Sequence, residues 1–98
     1  MTVELVLQGA SRETAQTVFN ALDAYKARLR ASIHRTRRNL KKFQQRYSVS
    51  TPVFLRDMVA EDLAGGDLEY VEWAGEAKLL EGLETELREL EDVYYEVP

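Results

Sequence analysis

The sequence predicts an all-α fold: a long antiparallel helical hairpin with a short connecting helix and a short N-terminal strand, completing a bundle by oligomerisation. Three observations lead there. Apolar residues recur every three or four positions from Ala15 to Tyr47 and again from Trp73 to Tyr94, which is the period of a one-sided helix. Of the two prolines, Pro52 and Pro98, neither falls inside those stretches. The charges fall in blocks of opposite sign, which suits two elements that face each other.

The elements follow in order. Residues 2–8 alternate Val3, Leu5 and Leu7 against Glu4, Val6 and Gln8, the pattern of a strand, and the one segment able to pair with it is "VYYEV" at the far end. A helix is predicted over 12–47, capped by Ser11, with the seam Ala15, Val18, Leu22, Tyr25, Leu29, Ile33, Thr36, Leu40, Phe43 and Tyr47. One extra four-residue step, Leu29 to Ile33, is a stutter in that seam. At 1.5 Å per residue the helix is roughly 54 Å long and needs a neighbour. A short helix over 52–64 would take Thr51 as its cap and Pro52 in its first turn, bury Val53, Phe54, Met58 and Leu63, and stop at Gly65 and Gly66. The last helix, 68–94, would take Asp67 as its cap and Trp73, Ala77, Leu80, Leu83, Leu87, Leu90 and Tyr94 as its seam. Residues 1–98 thus read as a single helical domain, small enough that its own core is thin.

Residues 1–23 carry a net −2, residues 24–56 a net +10 with no acid, and residues 57–98 a net −12, which gives the formal −4 of the chain. On the first helix most of the basic side chains flank the seam, and Arg38 alone sits at its back. Flanking positions are where paired helices place interhelical charges, and Glu84 and Glu91 flank the seam of the last helix in the same way. A charge zipper is therefore the leading reading. The competing ones are a phosphate-binding surface made by Arg30, Arg35, Arg37, Arg38, Lys41 and Lys42, and a solvated face with no special role.

Several classes of chemistry have no residues to support them. The chain has no cysteine, which removes disulfides, thiolate nucleophiles and cysteine-ligated metals, and fits a reducing cytoplasm. No Gly-rich phosphate loop, nucleophile elbow or nucleophile–base pair is present. His34 is the only histidine and lies among arginines away from the seam. Glu69, Glu72 and Glu76 share a helix face, as acids on a solvated helix routinely do, without a companion histidine. No catalytic, metal or cofactor site is expected. The N-terminus does not read as a secretory signal and no segment reaches about 20 apolar residues, so a cytoplasmic protein with no membrane association is expected.

The last helix carries two irregularities. Glu76 stands in line with Leu83 and Leu90, where a carboxylate needs a donor or water. Leu68, Val71, Gly75, Leu79 and Gly82 gather on a second side, and two interior glycines each cost about 1 kcal/mol relative to alanine. Close approach of another backbone, from a second chain, is one explanation; simple tolerance is the other.

The run "RYSVSTPVFLRDMVAEDLAGGDLEYVEWAGEAKLLEGLETELREL", residues 46–90, resembles small helical antitoxin-like proteins of archaea and bacteria that are encoded beside toxin genes, with a partner of the TumE type. The shared pattern is an aromatic closing a long helix, a Ser or Thr cap, a short helix with an early Phe, a Gly-Asp stretch, then Tyr-x-Glu-Trp and a Leu-rich acidic helix. Tyr47, Thr51, Phe54, Gly66 with Asp67, and Tyr70, Glu72 and Trp73 carry it here. Ser48 stands where the pattern has glycine. The resemblance implies a non-enzymatic protein that binds and neutralises a cognate toxin. On this reading the partner interface comprises Leu68, Tyr70, Val71, Glu72, Trp73, Gly75, Leu79 and Gly82, with Trp73 and Tyr70 either anchoring a partner or locking the turn against Phe54 and Met58. The chain is also expected to be a homo-oligomer. A nucleic-acid-binding accessory protein and a plain homo-oligomeric scaffold are the alternatives.

Overall fold

The first helix begins where the sequence places it, because the Ser11 side chain accepts from the Thr14 N–H at 3.1 Å. In the computed structural model, which describes residues 3–9 and 11–95, and side chains over 4–9 and 11–93, it runs as α1, Arg12–Tyr47. It ends at Ser48, in the left-handed conformation at φ 55 and ψ 37, where the N–H groups of Ser48 and Val49 both close on the Gln44 carbonyl. Serine there adopts a geometry that glycine takes with less strain.

The chain then turns back through α2, Thr51–Asp57, and a single 3-10 turn, Ala60–Asp62. The expected helix over 52–64 is thus two pieces broken at Met58 and Val59, both extended. Its cap is Ser50, whose side chain accepts from Val53, rather than Thr51. Thr51 is occupied otherwise: its N–H and hydroxyl both donate to the Gln44 side-chain oxygen, at 2.8 and 3.0 Å. Gly66 takes φ 61 and opens α3, Gly66–Glu91, with Gly65 in the cap position. Asp67, expected as the cap, lies inside the first turn, where its charge meets the positive end of the helix.

α3 returns along α1. Arg46 meets Glu69, Asn39 meets Glu76, Arg37 meets Glu84 and Arg30 meets Glu91, so numbers fall on one helix as they rise on the other. α3 stops at Glu91, short of the expected residue 94, and the backbone of Tyr94 lies in a strand, its side chain being outside those described. Val3–Leu5 (β1) pairs in parallel with Val93–Tyr95 (β2), with Val3 opposite Val93. The expected strand over 2–8 is shorter than its alternation implied, since a partner of three residues limits the ladder; Thr2 lies outside the described residues. Apart from this ribbon, the described chain is all-α.

The main core lies at the turn end of the molecule, with Leu40, Phe54, Leu63 and Trp73 buried among Phe43, Tyr47, Met58, Tyr70 and Leu80. At the other end the seam shifts: Phe19 is buried and Val18, expected inside, is 37% exposed. Glu91, the last residue of α3, pairs with Arg30, about 22 Å of helix away from Ala15. The buried Ala15 and Phe19 therefore lie beyond the last ion pair between α1 and α3. No helix among the described residues is long and apolar enough to cross a membrane.

Candidate interaction site

Three helices each send aromatic rings into the turn end, and Trp73 is the ring they share. It has no exposed surface. Phe54 of α2 stacks on it at 3.9 Å with 2° between planes, while Phe43 and Tyr47 of α1 stack at 5.3 and 5.8 Å. Its indole N–H donates to Thr51 Oγ1 at 3.0 Å, and that hydroxyl donates onward to Gln44. A buried indole with its one donor satisfied is a core anchor. Of the two roles open to Trp73, partner anchor or lock of the turn, its burial in the aromatic stack fits the second. Tyr70 is half-buried and tilts against Phe54 at 5.0 Å, so its ring is largely committed to the same cluster.

Beside the stack lies a carboxylate that sequence reasoning placed in a solvated row. Glu69 is 7% exposed, accepts from Arg46 Nη1 at 2.7 Å, and accepts from the Tyr47 hydroxyl. The same hydroxyl accepts from the Ala64 N–H at 3.0 Å, tying the loop before α3 to the end of α1. Gly65 leaves room for this side chain, since a Cβ there would stand 2.8 Å from Glu69 Cβ. The signal available in the sequence was the Arg46–Tyr47 pair, one cation and one phenol on consecutive positions, able to hold a single acid between them.

The remaining interface candidates separate by exposure. Leu68, Val71 and Leu79 are 70%, 65% and 50% exposed, and a Cβ added at Gly75 or Gly82 would meet nothing within 4 Å. These five form one uncovered face on α3, the side away from α1. Glu72 is also exposed but lies on the other flank, where it and Glu76 share a groove of about 320 Å³ with Asn39, Lys42, Phe43 and Arg46. Glu76, the acid in the seam, is half-buried and accepts from Asn39 Nδ2 at 3.3 Å. A second surface that sequence reasoning missed is an apolar groove of about 710 Å³ between α1, α2 and α3, lined by Leu40, Pro52, Leu55, Ala77 and Leu80 with Arg37 and Lys41.

The basic candidates divide as well. Arg30 and Arg37 reach Glu91 and Glu84, both at 3.4 Å, and Arg35 donates to Ser32. Arg38, Lys41 and Lys42 are exposed and form no ion pair among the described residues. Tyr25 donates to Glu86, and this bond to a carboxylate, followed by burial, raises its phenol above the ordinary 10.0. His34 is exposed, beside Arg30 and Arg37 in a groove that Glu84 and Glu91 also line. Among the described residues no group of three or more histidine, aspartate or glutamate side chains is placed to hold a metal ion.

No protein-family model, no curated protein and no solved structure matches the chain.

Proposed function

We propose that the chain is a non-enzymatic protein-interaction module, an antiparallel helical hairpin that completes its bundle by association and, antitoxin-like, binds and neutralises a partner protein in the cytoplasm. The observation that carries this reading is the uncovered face of α3. Leu68, Val71 and Leu79 together expose an apolar patch of the kind that monomeric surfaces rarely keep unless it is used. The resemblance over residues 46–90 supports a cognate partner encoded nearby, and Trp73 would serve that binding indirectly, by fixing the turn from which α3 springs.

The test is a double variant, Leu68→Asp with Val71→Asp, co-expressed with the product of the adjacent gene. Both side chains are exposed, so helical circular dichroism should be retained while association, with itself or with that product, is lost. Unchanged mass and unchanged co-purification would overturn the reading. A nucleic-acid-binding role is the second reading, favoured by the exposed Arg38, Lys41 and Lys42 beside Arg35. It requires binding to duplex DNA or RNA that falls steeply with salt, whereas an apolar protein interface does not weaken in that way.

A further inference from the structure

Resting on the reading that the uncovered face of α3 is an interface, we propose its occupant: the same face of a second copy, packed antiparallel about a two-fold axis at Gly75. The face reads Leu68, Val71, Gly75, Leu79, Gly82, with steps of three, four, four and three. That spacing is the same in both directions. A two-fold axis across α3 at Gly75 therefore exchanges position 68 with 82 and 71 with 79, and sets Gly75 against its twin.

The side chains in that register are complementary. Leu68 of one copy fills the gap at Gly82 of the other, Val71 lies beside Leu79, and the helices touch backbone to backbone at Gly75. Antiparallel helices form layers of this kind, and small residues at the crossing let them come close. The alternative, parallel pairing, sets leucine on leucine at 68 and leaves an empty layer at 82. Neither glycine has a positive φ, so the backbone of α3 does not require them. Among the described residues nothing lies within 4 Å of a Cβ placed at either one, so packing within the described copy does not require them either. The reason for two residues that weaken a helix lies outside the copy.

Charge selects the same arrangement. The last turns of α3 hold Glu84, Glu86, Glu89 and Glu91. Parallel pairing would place this acidic end beside its own copy, while the two-fold sets Glu86 opposite position 64, about 33 Å along the helix from its twin. Of the two flanks that the axis brings next to their equivalents, one carries Lys42 and Arg46 with Glu72 and Glu76, and the other, beside Gly82, carries Lys78 with Glu81, Glu86 and Glu89, whose twins the two-fold sets apart along the helix.

The chain has no cysteine, so single cysteines report the geometry cleanly. Gly75→Cys should give a disulfide-linked dimer on mild oxidation, because twin positions on the axis fall within the 4.4–6.8 Å Cα separation that a disulfide needs. Leu68→Cys and Gly82→Cys should each stay unlinked alone and should link to each other when a tagged and an untagged variant are mixed. All three positions are open to solvent, and circular dichroism confirms that the fold is kept. Self-linking at 68 and at 82, or a dimeric mass with no link at 75, overturns the two-fold arrangement while leaving the face an interface. A monomeric mass overturns the second copy as occupant. The reading beneath it falls only if the Leu68→Asp, Val71→Asp double variant also leaves binding of the adjacent gene's product unchanged.

Discussion

Trp73 and Glu69 lie four residues apart on α3, and both are buried against the turn. The indole is stacked on three rings and donates its N–H, so truncation removes a large buried surface and leaves a cavity. Trp73→Ala should cost about 3–5 kcal/mol, comparable to the whole stability of many small domains. Loss of the cooperative thermal transition by circular dichroism is the expected result; a well-folded variant with a sharp transition would return Trp73 to the surface. Trp73 was legible as an apolar seam residue from its spacing, but spacing alone does not separate a core ring from an interface ring. Glu69 was not legible as buried. Its burial depends on Arg46 and Tyr47, more than twenty positions away, and only the turn brings them together.

At the scale of elements, the two long helices were readable because their signals are local. Ser11 and a helical period that carries through the Leu29–Ile33 stutter without a Gly or Pro place α1 at 12–47. Elements whose limits depend on partners were misjudged: Thr51 is drawn from the cap by Gln44, the connector breaks at Met58, and α3 gives up its last residues to β2. The opposed charge blocks indicated facing helices without giving a register, and the structure supplies it through Arg30–Glu91 and Arg37–Glu84. Reversing Arg30 and Arg37 to Glu should lower stability by about 1 kcal/mol in total, since partly exposed pairs contribute roughly 0.2–1 kcal/mol each. Adding Glu84→Lys and Glu91→Lys should recover part of that loss, read as the melting temperature of the fourfold variant against the double. No recovery would mean that the basic flanks serve another purpose than holding α3.

The whole molecule is long and thin, with extents of 59 × 22 × 18 Å and a radius of gyration of 19.0 Å, against about 13 Å for a compact chain of this size. Only at the turn do three helices enclose a core, around Trp73; along the rest of their paired length two helices side by side bury one seam each. If further copies supply the missing side, folding and association are linked, and the melting temperature should rise by several degrees over a hundredfold increase in protein concentration. A melting temperature independent of concentration would count against assembly. The ribbon of β1 and β2 has its own consequence, in the order of folding. Its partners stand ninety positions apart, so pairing them early would close nearly the whole chain as one loop against a large entropy cost. Once α1 and α3 lie together, that loop is already closed, and three backbone pairs suffice to finish it. The ribbon thus forms last and opens first, a clasp that records whether the helices beneath it have met.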